Sequence, residues 1–133
     1  MSDEVVMVLR LLMAAVLGGV LGYQREKSGK PAGTRTHMLI CMGAAMFTLI
    51  SIYGFAGAAD PSRMAAGVVT GIGFLGAGAI FFRSGGTYIT GLTTAATIWA
   101  VAGIGVAAGS GLYLVAVAAV VLALIVLFIP HFK

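Results

Sequence analysis

From Ser84 to Phe132, 49 consecutive residues carry no formally charged side chain. Soluble domains carry roughly a quarter charged residues, so a run of this length has no water-facing solution. It suits a bilayer, whose ~30 Å hydrocarbon core is crossed by about 20 apolar residues in a helix rising ~1.5 Å per residue. The run is too long for one such helix and matches two, with "GSG" (Gly109–Gly111) the most turn-prone break in its middle half. The rest of the 133-residue chain agrees: 60% of its residues are hydrophobic, 9% are charged, and mean hydropathy is +1.08.

The same count divides the whole chain into an all-α membrane protein of about five transmembrane helices, in one domain spanning 1–133. The expected spans are 5–23, 37–57, 64–82, 87–108 and 111–130. An alternative keeps four spans and makes the fourth segment re-entrant, because "SGGTYITG" is a poor helix start. A cleaved signal peptide is not expected, since Asp3 and Glu4, not basic residues, precede the first apolar run. Cys41 is the single cysteine, so no intrachain disulfide can form.

Charge sets the orientation. Arg25, Lys27, Lys30, Arg35, Arg83 and Lys133 fall on one side of the spans, against Arg10 and Arg63 on the other. Short loops rich in Lys and Arg stay in the cytoplasm, which predicts the N-terminus outside and the C-terminus inside. The stretch "GYQREKSGKPAGTRTHM" (Gly22–Met38) holds more than topology needs, namely Glu26, a Pro31–Gly33 turn, and His37 at the start of span two. A pairing of Glu26 with Arg35 or Arg25 would shape this loop into a docking surface. An anionic group could sit against Arg25, Lys30, Arg35 and Arg83.

Helices in lipid associate through close packing of small residues and through polar contacts. Span one offers Ala14, Gly18 and Gly22. Span three offers Gly67 and Gly71, with Ala66, Thr70, Gly73 and Ala77 adjoining and Gly76 and Gly78 following. Span four offers Ala96, Ala100, Gly103 and Ala107. These faces imply a tight bundle and a homodimer or higher oligomer, with spans one and three the favoured interfaces. Span four also aligns Thr87, Thr90, Thr94 and Thr97, with Thr93 beside them, either bonding neighbouring helices or lining a polar path. Arg10, in span one, either snorkels to the outer surface or meets Asp60 of the outer loop.

No catalytic constellation or metal cluster can be assembled from these residues, and no enzyme activity, cofactor or nucleic-acid partner is expected. "GIGFLG" (Gly71–Gly76) fits the dinucleotide pattern G-x-G-x-x-G but lies inside a membrane span, with no acidic residue after Asp60.

Three long strings, "GYQREKSGKPAGTRTHMLICMGAAMF", "DPSRMAAGVVTGIGFLGAGAIF" and "GLTTAATIWAVAGIGVAAGSGLY", resemble the MgtC/SapB family of bacterial inner-membrane proteins in order and spacing. The resemblance covers about Leu9 to Tyr113. It implies a multi-pass inner-membrane protein tied to growth in low magnesium and, in pathogens, to survival inside macrophages. It further implies action by binding membrane partners such as the F-type ATP synthase. The best-known members carry a cytoplasmic C-terminal domain, which this chain, ending at Lys133, is expected to lack. An acidic residue is usual in the family where Gln24 stands, and a polar one where Gly67 stands. The matching positions able to act are Arg25, Glu26, Gly33, Arg35, Thr36, His37, Asp60, Arg63, Thr93 and Thr94.

Two functions follow as expectations. One is a regulatory or interaction protein whose cytoplasmic face is the basic loop. The other is a small transporter or channel for an ion or anionic solute. Mg²⁺ favours carboxylate and phosphate oxygens, and the expected spans contain no acid, which favours the first.

Overall fold

The computed structural model describes residues 2–55, 60–83 and 91–130. Its helices are α1 (Asp3–Lys27), α2 (Thr34–Tyr53), α3 (Ser62–Arg83), α4 (Leu92–Gly109) and α5 (Tyr113–Leu127), with no strand among the described residues. The all-α bundle matches the sequence-based expectation. α1 to α4 each have the length and apolarity to cross a membrane, while α5 is equally apolar but only 15 residues long.

Local chemistry sets the helix ends. Ser2 caps α1 by accepting from the Val5 N–H at 3.3 Å, Asp3 and Glu4 occupy its first turn, and Arg25 and Lys27 its last, each sign opposing the helix dipole. Two helices end in the same Schellman motif. In α1, Gly29 N–H bonds Glu26 O and Lys30 N–H bonds Arg25 O; in α4, Gly111 N–H bonds Ala108 O and Leu112 N–H bonds Ala107 O. Both motifs need a left-handed residue, and Gly29 (φ 75°) and Gly111 (φ 86°) provide it. The first motif shortens α1 into the basic loop; the second turns α4 back into α5 across Ser110–Leu112.

The core is made of small side chains. Ala14, Cys41, Ala45, Val101, Ala108 and Ala116 are fully buried where α1, α2, α4 and α5 meet. Backbones touch directly at glycines. A Cβ on Gly18 would stand 2.6 Å from His37 O, and one on Gly22 would stand 2.7 Å from Gly33 O, which seats α1 on α2. A Cβ on Gly105 would collide with Cys41 O, and one on Gly109 would stand 2.7 Å from Ala45 O, which seats α2 on α4. Span four therefore packs through Thr97, Val101, Gly105, Ala108 and Gly109. The Ala96–Ala100–Gly103–Ala107 stripe read from sequence is the less buried side, with Ala96 and Gly103 exposed.

α3 stands apart from this body. It buries Ile72 against Ala44, Ile98 and Ala102 of α2 and α4, yet Phe74 remains 82% exposed. Cβ atoms on Gly67, Gly71 or Gly78 would meet nothing within 4 Å, and one on Gly76 would only touch Ala95 at 3.7 Å. Gly67 and Gly71 line an apolar groove of about 640 Å³, with Leu39, Gly43 and Phe47 of α2 on its other wall.

Candidate functional site

The polar residues gather at the two ends of the bundle. At the end formed by the α1–α2 loop and the start of α4, Arg25 is 4% exposed and His37 is fully buried. Leu21 and Arg25, one turn apart, share the buried side of α1, so the guanidinium is carried inward. Arg25 Nη2 donates to Thr94 Oγ1 at 3.0 Å. Thr97 Oγ1 lies 2.9 Å from Thr94 O and 3.1 Å from His37 Nε2. His37 Nδ1 lies 2.9 Å from Gly33 O, and a carbonyl only accepts, so Nδ1 carries the proton. With a neutral ring the Thr97 proton turns to Nε2; with an imidazolium it turns to Thr94 O. One chain of polar contacts thus joins α1, α2 and α4 through Arg25, Thr94, Thr97 and His37.

Glu26 departs from its expected pairing. Its Oε1 accepts the Thr34 N–H at 3.2 Å, supplying the first turn of α2 with the acceptor that its N-cap residue, Gly33, cannot offer. A Cβ on Gly33 would stand 2.6 Å from the same oxygen, so glycine lets the chain pass against the carboxylate. The physical reason for the departure is competition: a free helix N–H fixed eight residues away holds the carboxylate better than the long, exposed Arg35 side chain. Lys27, Lys30 and Arg35 remain exposed around this fixed turn. Arg83 closes α3, and its side chain lies outside the described residues, as do Thr87, Thr90, His131 and Lys133 and the proposed re-entrant start of span four.

At the opposite end Arg10 is the organising group, and its partners are not the expected Asp60. Its Nε donates to Tyr113 Oη at 2.9 Å, and its Nη1 to Gly109 O at 3.1 Å and Tyr53 Oη at 3.4 Å. The guanidinium also lies 5.7 Å from the Tyr113 ring centre and 6.0 Å from that of Tyr53, within cation–π range. Asp60 instead accepts from the Ser62 N–H and hydroxyl at 3.0 and 2.8 Å, opening α3. Those two bonds hold its carboxyl below the usual carboxylate range. Arg63 is exposed beside it, and Thr93 is exposed where its neighbour Thr94 is buried.

Sequence reasoning did not single out Tyr53, Thr34 or Gly105, and it read Gly109 as a turn residue, not as a packing contact. Tyr53 and Tyr113 carried a usable signal, as hydroxyl-bearing rings at span ends on the side of Arg10. Among the described residues no group of three or more His, Cys, Asp and Glu is placed to hold a metal ion.

These features have relatives. The family model described as "MgtC family" matches residues 11–132. YhiD of Escherichia coli K12, provisionally named a magnesium transporter, is 48% identical over 131 residues, covering 93% of this chain and 60% of that protein. Protein SapB of Bacillus subtilis 168 is 41% identical over 130 residues, covering 92% and 56%. Protein MgtC of Brucella abortus 2308 is 46% identical over 99 residues, covering 74% and 40%. The chain thus spans about 60% or less of these three relatives. No solved structure matches.

Proposed function

The chain belongs to the MgtC family, and on that footing we propose that it is a non-enzymatic inner-membrane protein of magnesium-limited growth that acts by docking a membrane partner. In pathogens the same role extends to survival within host cells. The docking face is the cytoplasmic end built by the α1–α2 loop. The observation that carries this reading is the Glu26–Thr34 hydrogen bond with Gly33 pressed against it. A loop that only fixed topology would need its Lys and Arg but no such internal brace. Braced, it presents Lys27, Lys30 and Arg35 in a set arrangement. The partner suggested by the family is another inner-membrane complex, such as the F-type ATP synthase.

The test is co-purification from native membranes under gentle solubilisation. Glu26→Ala and Arg35→Gln should insert normally and lose the partner and the growth phenotype in low magnesium. Retention of both by both variants would overturn the docking role.

The name of the Escherichia coli relative favours a second reading, magnesium transport. Against it, the buried polar groups among the described residues are a guanidinium, an imidazole and serine and threonine hydroxyls, which suit Mg²⁺ poorly beside carboxylates. Purified protein in liposomes should carry no Mg²⁺ above empty vesicles; saturable uptake blocked by Thr94→Val would establish transport instead.

A further inference from the structure

We propose that Arg25 and the first turn of α4 form a binding site for a phosphate-type oxyanion, seated inside the bundle at the α1–α2 loop end. This site is independent of which partner the exposed loop engages.

Three observations converge on it. First, Arg25 is a charged side chain all but removed from solvent, and its Nε is a buried donor with no partner among the described residues. A guanidinium has no neutral form to retreat to, so burial demands a compensating anion. Second, the chain's four Asp and Glu side chains are engaged or distant. Asp3 and Glu4 begin α1 at the far end, Asp60 opens α3 there, and Glu26 holds Thr34 N–H. The C-terminal dipole of α1 favours a cation near Arg25, yet the guanidinium bonds Thr94 of α4. Third, Thr94 lies in the first turn of α4, which begins at Gly91 (φ 86°) without a side-chain cap. A helix N-terminus presents N–H groups and partial positive charge. Guanidinium and helix start therefore face each other with like sign, an arrangement that an oxyanion between them reverses into attraction on both sides.

The other two buried polar atoms without partners among the described residues, Gln24 Oε1 and Thr34 Oγ1, belong to the same end of the bundle. Of these, the Thr34 hydroxyl can donate to an anion, whereas the Gln24 carbonyl oxygen can only accept, as from water. A ligand held by Arg25 Nε–H, which can act together with a neighbouring guanidinium N–H, suits the paired oxygens of a phosphate. The site lies at a helix end, the depth of lipid headgroups, so the phosphate has two sources, a phospholipid headgroup or free inorganic phosphate.

The experiment uses the full chain, purified in neutral detergent and transferred to phosphatidylcholine nanodiscs with or without phosphatidylglycerol. Native mass spectrometry reads retained phospholipid, and phosphorus NMR with thermal unfolding reads added inorganic phosphate. Wild type should hold one phosphate-bearing ligand, with Arg25→Gln at least tenfold weaker. Arg63→Gln, the same charge loss at the opposite end, should bind as wild type does. If Arg25→Gln fails to fold, Thr94→Val, which keeps the charge and removes the bond that orients it, should weaken binding severalfold. Retention of phospholipid without response to inorganic phosphate identifies the headgroup as the ligand, and the reverse identifies the free anion. Absence of both, or equal binding by the Arg25 and Thr94 variants, would leave water as the occupant and overturn the proposal.

Discussion

Glu26 reaches across the α1–α2 turn to accept the backbone N–H of Thr34 at 3.2 Å, so one helix supplies the cap of the next. An acceptor at a helix start contributes about 1 kcal/mol, within a range of roughly 0.5–2 kcal/mol. Glu26→Ala should therefore lower stability by about that amount and increase proteolytic cleavage between residues 28 and 33. Glu26→Gln keeps an oxygen acceptor and should lose about half as much. Chemical denaturation in detergent, read by circular dichroism, separates the two.

Gly103 and Gly105 stand two residues apart on α4 with opposite surroundings. A Cβ on Gly105 meets the Cys41 backbone, while one on Gly103 meets nothing within 4 Å. Gly105→Ala should cost about 1–3 kcal/mol, because the α2 backbone must shift. Gly103→Ala should be neutral or slightly stabilising, since Ala is the better helix former. Thermal unfolding of the pair in one detergent is sufficient.

Arg10 ties α1 to Tyr53 of α2, Gly109 of α4 and Tyr113 of α5. Tyr113→Phe removes the acceptor of Arg10 Nε and should cost about 1 kcal/mol. Arg10→Lys should cost more, because an ammonium cannot span the fork of partners that a guanidinium bonds. Equal losses in the two variants would show that the fork contributes nothing.

Orientation is open to direct labelling. In a Cys41→Ala background, a cysteine placed at Ser28 should resist membrane-impermeant thiol reagents in intact cells, and one placed at Ser110 should react. Both positions are exposed at opposite ends of the bundle, so accessibility alone does not distinguish them, and the reverse pattern would place the basic loop outside.

Self-association, an expectation from the glycine faces, is predicted to run through α3. Gly18 and Gly22 of α1 are already occupied by α2, whereas Gly67 and Gly71 face an open groove. Gly71→Leu should convert a dimer to monomer, as judged by native mass spectrometry, without loss of helicity. A wild-type monomer in mild detergent would count against the dimer.

The helical class, the number of helices and the crowding of charge at the loop were legible because hydropathy and Lys/Arg placement act through the solvent, which is the same for every such chain. Which face of each helix packs was less legible. On α4 two small-residue stripes compete, and a helix apolar all round gives no moment to choose between them. Only contact with Cys41 and Ala45 selects Gly105 and Gly109. Polar partners were legible as participants but not as pairs. Glu26 and Arg10 were both marked from sequence, yet Glu26 chose a backbone N–H over Arg35, and Arg10 chose two tyrosines over Asp60. Those choices depend on helix rotation, to which side-chain spacing along one strand of sequence is blind.

The glycine contacts also divide the molecule mechanically. α1, α2 and α4 meet backbone to backbone, so sliding any one of them must break contacts that no rotamer change can absorb. α3 meets the body mainly through side chains such as Ile72 and Val68, and its one close glycine approach, Gly76 to Ala95, is at ordinary contact distance. Among the four helices long enough to cross a membrane, it is the one that no such backbone interlock holds. Displacing α3 against the frame of α1, α2 and α4 therefore breaks fewer close backbone contacts than sliding any of those three.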